Sequence, residues 1–123
     1  MKAWIGKSIV AIGILHSIVG FVVFYDILSL LISERLFNTV TLNRQPDREA
    51  AFWFLFTGFA ILIIGALVDW IERKNVGIPA FLSWSFLAVT AMGALIMPMS
   101  GFWLLLIPTA GLFRWQRRSM NGE

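Results

Sequence analysis

No charged side chain falls between Lys7 and Asp26, and three further apolar runs follow, from about Ala50 to Val68, Pro79 to Met97 and Gly101 to Phe113. About 20 apolar residues suffice to cross a hydrocarbon core about 30 Å thick. Four such runs in 123 residues commit nearly the whole chain to one kind of environment. Hydrophobic residues make up 59% of the sequence and charged residues 14%, against roughly 45–50% and 25% in soluble domains. A soluble domain of this size buries only about two-thirds of the surface its unfolded chain exposes, too little to hide this much Leu, Ile, Phe and Trp.

The expected fold is therefore all-α: an integral membrane four-helix bundle forming a single domain over 1–123, with helices at about 4–31, 50–74, 79–97 and 101–116. The outer loop 33–47, SERLFNTVTLNRQPD, is the one long polar connection. Pro46 followed by Asp47 marks the start of the helix after it. Asn75 and Gly77 favour a helix C-cap, and Met97-Pro98-Met99-Ser100-Gly101 reads as a tight hairpin joining antiparallel neighbours. The fourth run is short for a span, which suggests Trp103 and Trp115 as interfacial anchors.

Lys and Arg accumulate at the cytoplasmic ends of membrane helices. The side that would hold both termini carries Lys2, Lys7, Arg73, Lys74, Arg114, Arg117 and Arg118, seven cations, and the other carries Arg35, Arg44 and Arg48, three. The bias predicts a multi-pass protein of the bacterial plasma membrane with both termini cytoplasmic. A cleavable signal over residues 1–25 is the disfavoured alternative, because the apolar run is too long and no small-x-small site follows. The net charge of +3 does not point to nucleic acid, since the basic residues flank apolar runs rather than forming a patch on a polar fold. With no cysteine and one histidine, disulfide scaffolds, thiolate metal sites and protein-only zinc or di-iron clusters are excluded.

His16 is the one ionisable group near the middle of an apolar run, and such groups usually face a bundle interior or an aqueous cavity. At 100° per residue, Gly6, Gly13, Ser17 and Gly20 form one stripe with His16 at its edge, and small residues so spaced admit a neighbouring backbone. His16 should therefore point into a helix contact, with Thr57, Thr90 and Thr109 near its level as a polar layer. Three roles fit it: a neutral packing residue bonded to a threonine or a carbonyl, a proton-coupled or ligand-contacting group, or a haem ligand, for which bis-histidine ligation would need a homodimer.

Tyr25 and Asp26 fall near the outer end of the first helix, where the antiparallel second helix would bring Arg48. Either an Asp26 to Arg48 bridge orients the outer loop, or these groups form the polar mouth of a cavity. Phe52, Trp53, Phe54 and Phe56 act as an interface belt or line a pocket for a planar or isoprenoid ligand. Asp69, Glu72, Arg73 and Lys74 read as a solvated helix end. Arg114, Arg117 and Arg118 form a cluster that anionic headgroups attract. Pro108 should break the fourth helix and leave the carbonyl of Leu104 without its donor. Phosphate loops, nucleophile elbows, H-E-x-x-H pairs and paired buried carboxylates do not occur, so enzyme chemistry has no template here.

With these segments placed, Trp4-Ile5-Gly6, Gly13-x-x-His16, Leu36-Phe37-Asn38-Thr39-Val40, Ala51-Phe52-Trp53-Phe54-Leu55 and Met97-Pro98-Met99-Ser100-Gly101-Phe102-Trp103 resemble an uncharacterised bacterial four-helix membrane family, a domain of unknown function. The resemblance implies four transmembrane helices and no activity. Small multidrug transporters are similar in size and helix number only, since their embedded first-helix carboxylate is missing and His16 stands roughly in its place. DoxX-like proteins are similar more loosely still.

The leading expectation is a membrane protein that binds a hydrophobic or amphipathic small molecule between its helices, and that would move it across the bilayer as a homodimer. Its ligand-binding residues would be His16, Tyr25, Asp26, Arg48, Trp53 and Thr57, with no cofactor named by the sequence and membrane lipids as its surroundings. One alternative is a noncatalytic accessory subunit of a larger membrane complex, docking through the Gly6, Gly13, Gly20 stripe. The other is a redox protein with His16 on a haem or quinone.

Overall fold

Backbone amides inside hydrocarbon have no water to bond to and must bond within the chain. Each apolar run is helical in the structure, a computed structural model that describes residues 3–41 and 44–122. Lys2, one of the cations in the orientation count, and Leu42 and Asn43 of the polar loop lie outside the described residues. Helix α1 spans Ile5–Val23, α2 Tyr25–Ser33, α3 Pro46–Arg73 and α4 Ala80–Ile96, and a short 3-10 helix, Gly101–Leu105, leads into α5, Leu106–Met120. No strand occurs among the described residues. Helices α1 and α3 are long and apolar enough to cross a membrane, with mean hydropathies of 1.9 and 2.4, and α4 is a shorter apolar helix.

Two helix boundaries differ from the sequence reading. The first helix is not continuous over 4–31 but parts at Phe24 (φ −103°, ψ 20°), in the run Val22-Val23-Phe24-Tyr25, whose β-branched and aromatic side chains crowd the preceding turn. The fourth run opens as a 3-10 helix, so Pro108 sits at the third position of α5. First-turn amides have no partner within the helix anyway, and Pro108 starts α5 rather than breaking it. Other signals match: Pro46 occupies the first position of α3 after the cap Gln45, Asn75 adopts φ 53° just past its end, and Ser100 turns the hairpin, its hydroxyl donating to the Met97 carbonyl.

The helices stand in the order α3, α1, α5, α4. Helix α1 lies between α3 and α5, and α4 approaches only α5 and the 3-10 helix. One core cluster, Ile5, Ile9, Val68, Ile78, Leu112 and Trp115, ties them at the end bearing the chain termini. Trp115 is 5% exposed and belongs to this core rather than anchoring an interface. The accessible surface is 8561 Å², against about 6,700 Å² for a compact soluble monomer of 13.9 kDa. The excess is apolar: Val22, Ile32, Ile63, Phe81, Leu95 and Ile96 are among the large side chains left exposed.

The α1/α3 contact is the closest in the fold. A Cβ at Gly6 would strike the backbone of Asp69, one at Gly13 would meet Leu62 at 3.0 Å, and one at Gly20 would meet Phe54 and Leu55 at 2.8 and 2.9 Å. From the other side, Gly65 faces Val10 at 2.7 Å and Gly58 faces Ser17. Seven residues up α1 correspond throughout to seven down α3, so one antiparallel register holds along the whole seam. Helix α3 carries its own seven-residue repeat of buried positions on this face, Ala51, Gly58, Gly65 and Glu72. Dispersion between closely approaching backbones, which small residues permit, is what holds helices together in lipid. The glycine stripe of α1 is thus filled by α3 of the same chain.

Candidate functional site

Beyond Phe24 the chain turns away from the seam, and α2 and the segment after it leave a groove against the flank of α3. The groove, about 450 Å³, is lined by Leu28 and Leu31 of α2, Leu36, Asn38, Thr39 and Val40 of the connection, and Phe52, Leu55, Phe56 and Phe59 of α3. Phe52, Phe56 and Phe59 fall on one face at i, i+4 and i+7. Phe52 stacks on Phe56 with centroids 4.3 Å apart, and Phe56 meets Phe59 edge-on at 5.6 Å. The size falls within the range of small-molecule sites, which are mostly apolar with a few polar groups at fixed points.

Asn38 and Thr39 are the polar residues of the lining, and Arg48 fixes the segment that carries them. Its guanidinium binds the Glu34 carboxylate in bidentate fashion, Nη1 to Oε2 at 2.7 Å and Nη2 to Oε1 at 3.0 Å, and Nη1 also donates to the Thr39 carbonyl at 2.7 Å. The Thr39 hydroxyl donates in turn to the Leu36 carbonyl. Arg48 therefore grips the 34–39 segment at both ends. Between the grips, Arg35, Leu36 and Asn38 take φ of 67°, 65° and 53°, a left-handed conformation that costs non-glycine residues about 1 kcal/mol or more each. The hydrogen-bonded guanidinium holds the Glu34 carboxyl below its usual range, opposing the smaller effect of burial. Arg48 pairs with Glu34 and not with Asp26, because the break at Phe24 redirects α2 and leaves Asp26 exposed.

His16 points into the helix contact, in keeping with its place at the edge of the stripe. Its Nε2 lies 2.9 Å from the Phe54 carbonyl, and its ring stacks on that of Phe54 at 4.0 Å with planes 10° apart. A carbonyl can only accept, so Nε2 carries the proton; haem ligation through this nitrogen would require giving the bond up. Phe54 lies about 100° round α3 from Leu55, which puts His16 and the groove on opposite flanks of the seam.

The other expected site residues do not converge on His16. Trp53 is 60% and Tyr25 68% exposed, and the exposed Thr57 donates to the Trp53 carbonyl of its own helix. The threonines do not bond to one another: Thr109 donates to the Leu105 carbonyl, while the hydroxyl of buried Thr90 has no partner among the described residues. None of the expected set lines the groove, and Arg48 alone bonds the segment that does. Phe52 and Phe56 are among the aromatics singled out in the sequence. Phe59 and the Glu34 partner are not, although the i, i+4, i+7 spacing marks Phe59.

Glu72 also departs from the sequence reading. It is 3% exposed rather than solvated, because the seven-residue repeat of α3 places it opposite the start of α1. Its Oε2 accepts from the amides of Trp4 and Ile5, each at 3.2 Å, and its Oε1 from that of Gly6 at 2.6 Å. The cap position of α1, Trp4, makes no side-chain cap bond. The carboxylate of another helix thus satisfies the free first-turn amides and sits at the positive end of the helix dipole.

These elements define an all-helical protein with two helices of membrane-crossing length and an aromatic groove beside one of them. Residues 1–119 match a family of unknown function, DUF6463, and the chain belongs to that family. No curated protein matches the chain, and no solved structure does.

Proposed function

We propose that this chain is a four-span protein of the bacterial plasma membrane, termini cytoplasmic, that binds an apolar or amphipathic small molecule in the groove between α2, the 34–40 segment and α3. The observation that carries the reading is the junction of a phenylalanine wall with a strained segment held by Arg48. Strain of this kind persists only where surrounding structure imposes it, and it clusters at ligand sites and switches. Since Arg48 and Glu34 neutralise each other, the rim favours a ligand whose polar end is uncharged. The apolar wall suits a planar ring or a flexible prenyl or acyl chain. Movement of that ligand across the bilayer by a homodimer is the extension of this reading.

Native mass spectrometry of the full chain released from its own membranes in mild detergent tests it. The expected result is a stoichiometric bound mass that Phe52→Ala/Phe56→Ala removes and His16→Ala retains. Loss of the mass with His16→Ala alone would move the site to the other flank of the seam. A wild-type protein carrying no bound mass, or one indifferent to the phenylalanines, would overturn it.

A further inference from the structure

At the end opposite the groove the charges do not balance. Asp69 is taken by Arg73, with Nε to Oδ2 at 2.9 Å, and Glu72 by the amides of α1. Lys74 lies over the Trp70 ring, 5.8 Å from its centroid. Lys7 of α1 and Arg114, Arg117 and Arg118 of α5 remain, all exposed, and no acidic side chain among the described residues pairs with the three arginines. They stand at i, i+3 and i+4 on the last turns of α5, spacing that groups side chains on one face. That face is fixed, because Leu112 and Trp115 bury the other side of α5 in the core. Exposed Trp70 and Trp84 lie at the same end, Trp84 packed edge-on against Phe113 at 5.1 Å. Tryptophans in such positions sit at headgroup level.

We infer that the Arg114, Arg117, Arg118 face of α5 is a binding site for the phosphate of an anionic phospholipid headgroup. Guanidinium groups bind phosphate oxygens in bidentate fashion, and here they are free of internal partners, rigidly presented and flanked by interfacial indoles. Charge complementarity selects the occupant, and the headgroup level selects its source as lipid. The inference rests on the membrane reading above and not on the groove.

The test is reconstitution of the full chain into phosphatidylcholine vesicles with and without phosphatidylglycerol, followed by native mass spectrometry of retained lipid. A cation near a membrane surface contributes about fivefold in association, so three give a preference for phosphatidylglycerol somewhat above about a hundredfold. Each single Arg→Gln change should lower it about fivefold, and the triple change should abolish it. Against the double change Arg117→Gln/Arg118→Gln, a charge-matched variant at the other end of the helices, Arg35→Gln/Arg44→Gln, should keep it. The inference is overturned if the triple variant keeps the preference, if the charge-matched variant loses it equally, or if millimolar inorganic phosphate displaces the lipid and so identifies a free-anion site. Failure of the wild-type chain to float with either vesicle would instead refute the membrane reading.

Discussion

Replacing Glu72 by Ala removes the acceptor for three amides at once. The amide of Trp4 is only partly buried and water can reach it, but those of Ile5 and Gly6 are buried. A buried donor left without a partner costs about 1–3 kcal/mol, so two give about 2–6 kcal/mol. The lost interaction of the carboxylate with the helix dipole adds about 0.3–2 kcal/mol. A glutamine side chain at this position would keep one acceptor oxygen but turn an NH₂ towards the remaining donors, so Glu72→Gln should fall between Glu72→Ala and wild type. Lys74→Ala, an exposed change two residues on, should cost within about 0.5 kcal/mol. The assay is reversible denaturation in detergent micelles followed by circular dichroism, paired with hydrogen exchange at residues 4–6. Exchange there should accelerate in Glu72→Ala while α4 stays unchanged. A Glu72→Ala protein as stable as Lys74→Ala, with unaltered exchange in the first turn of α1, would refute the capping argument.

The seam makes a sharper contrast among glycines. Gly65→Ala forces a methyl against the Val10 amide nitrogen at 2.7 Å, backbone that cannot step aside, whereas Gly101 has nothing within 4 Å. Overpacking costs about 1–3 kcal/mol, so Gly65→Ala should lower the denaturation midpoint and Gly101→Ala should leave it near wild type. The Arg48 grip predicts a pH response. A carboxyl with a lowered folded-state value contributes stability above its ordinary value of 4.5 and loses it as pH falls through the lower folded value. Limited proteolysis of the 34–45 segment should therefore accelerate in acid below that ordinary value, and in Glu34→Gln at neutral pH. A cleavage rate independent of both would count against the grip.

Helix class and the small-residue face are legible in the sequence because they depend on local composition and period. Gly6, Gly13 and Gly20 announce a close contact whatever the partner, and Pro46 announces a helix start. Register is harder to read. That His16 meets the carbonyl of Phe54 follows only once α3 is fixed opposite α1, and the common spacing of Ala51, Gly58, Gly65 and Glu72 fixes it only when set beside that of α1. Glu72 escapes a reading that treats its charged cluster as one solvated unit, because the members of that cluster point in different directions. The choice of Glu34 over Asp26 by Arg48 depends on a break at Phe24 with neither Pro nor Gly to signal it. Groove residues drawn from three segments have no linear signature beyond the aromatic face of α3.

The order α3, α1, α5, α4 also has a consequence for biosynthesis. Every contact of the long seam is encoded before residue 74, so a ribosome completes this hairpin while α4 is still unmade. The second hairpin then meets it through α5, and the last core residue to emerge is Trp115. A chain stalled short of that point would hold a finished seam above an unclosed base, its core cluster still lacking Trp115.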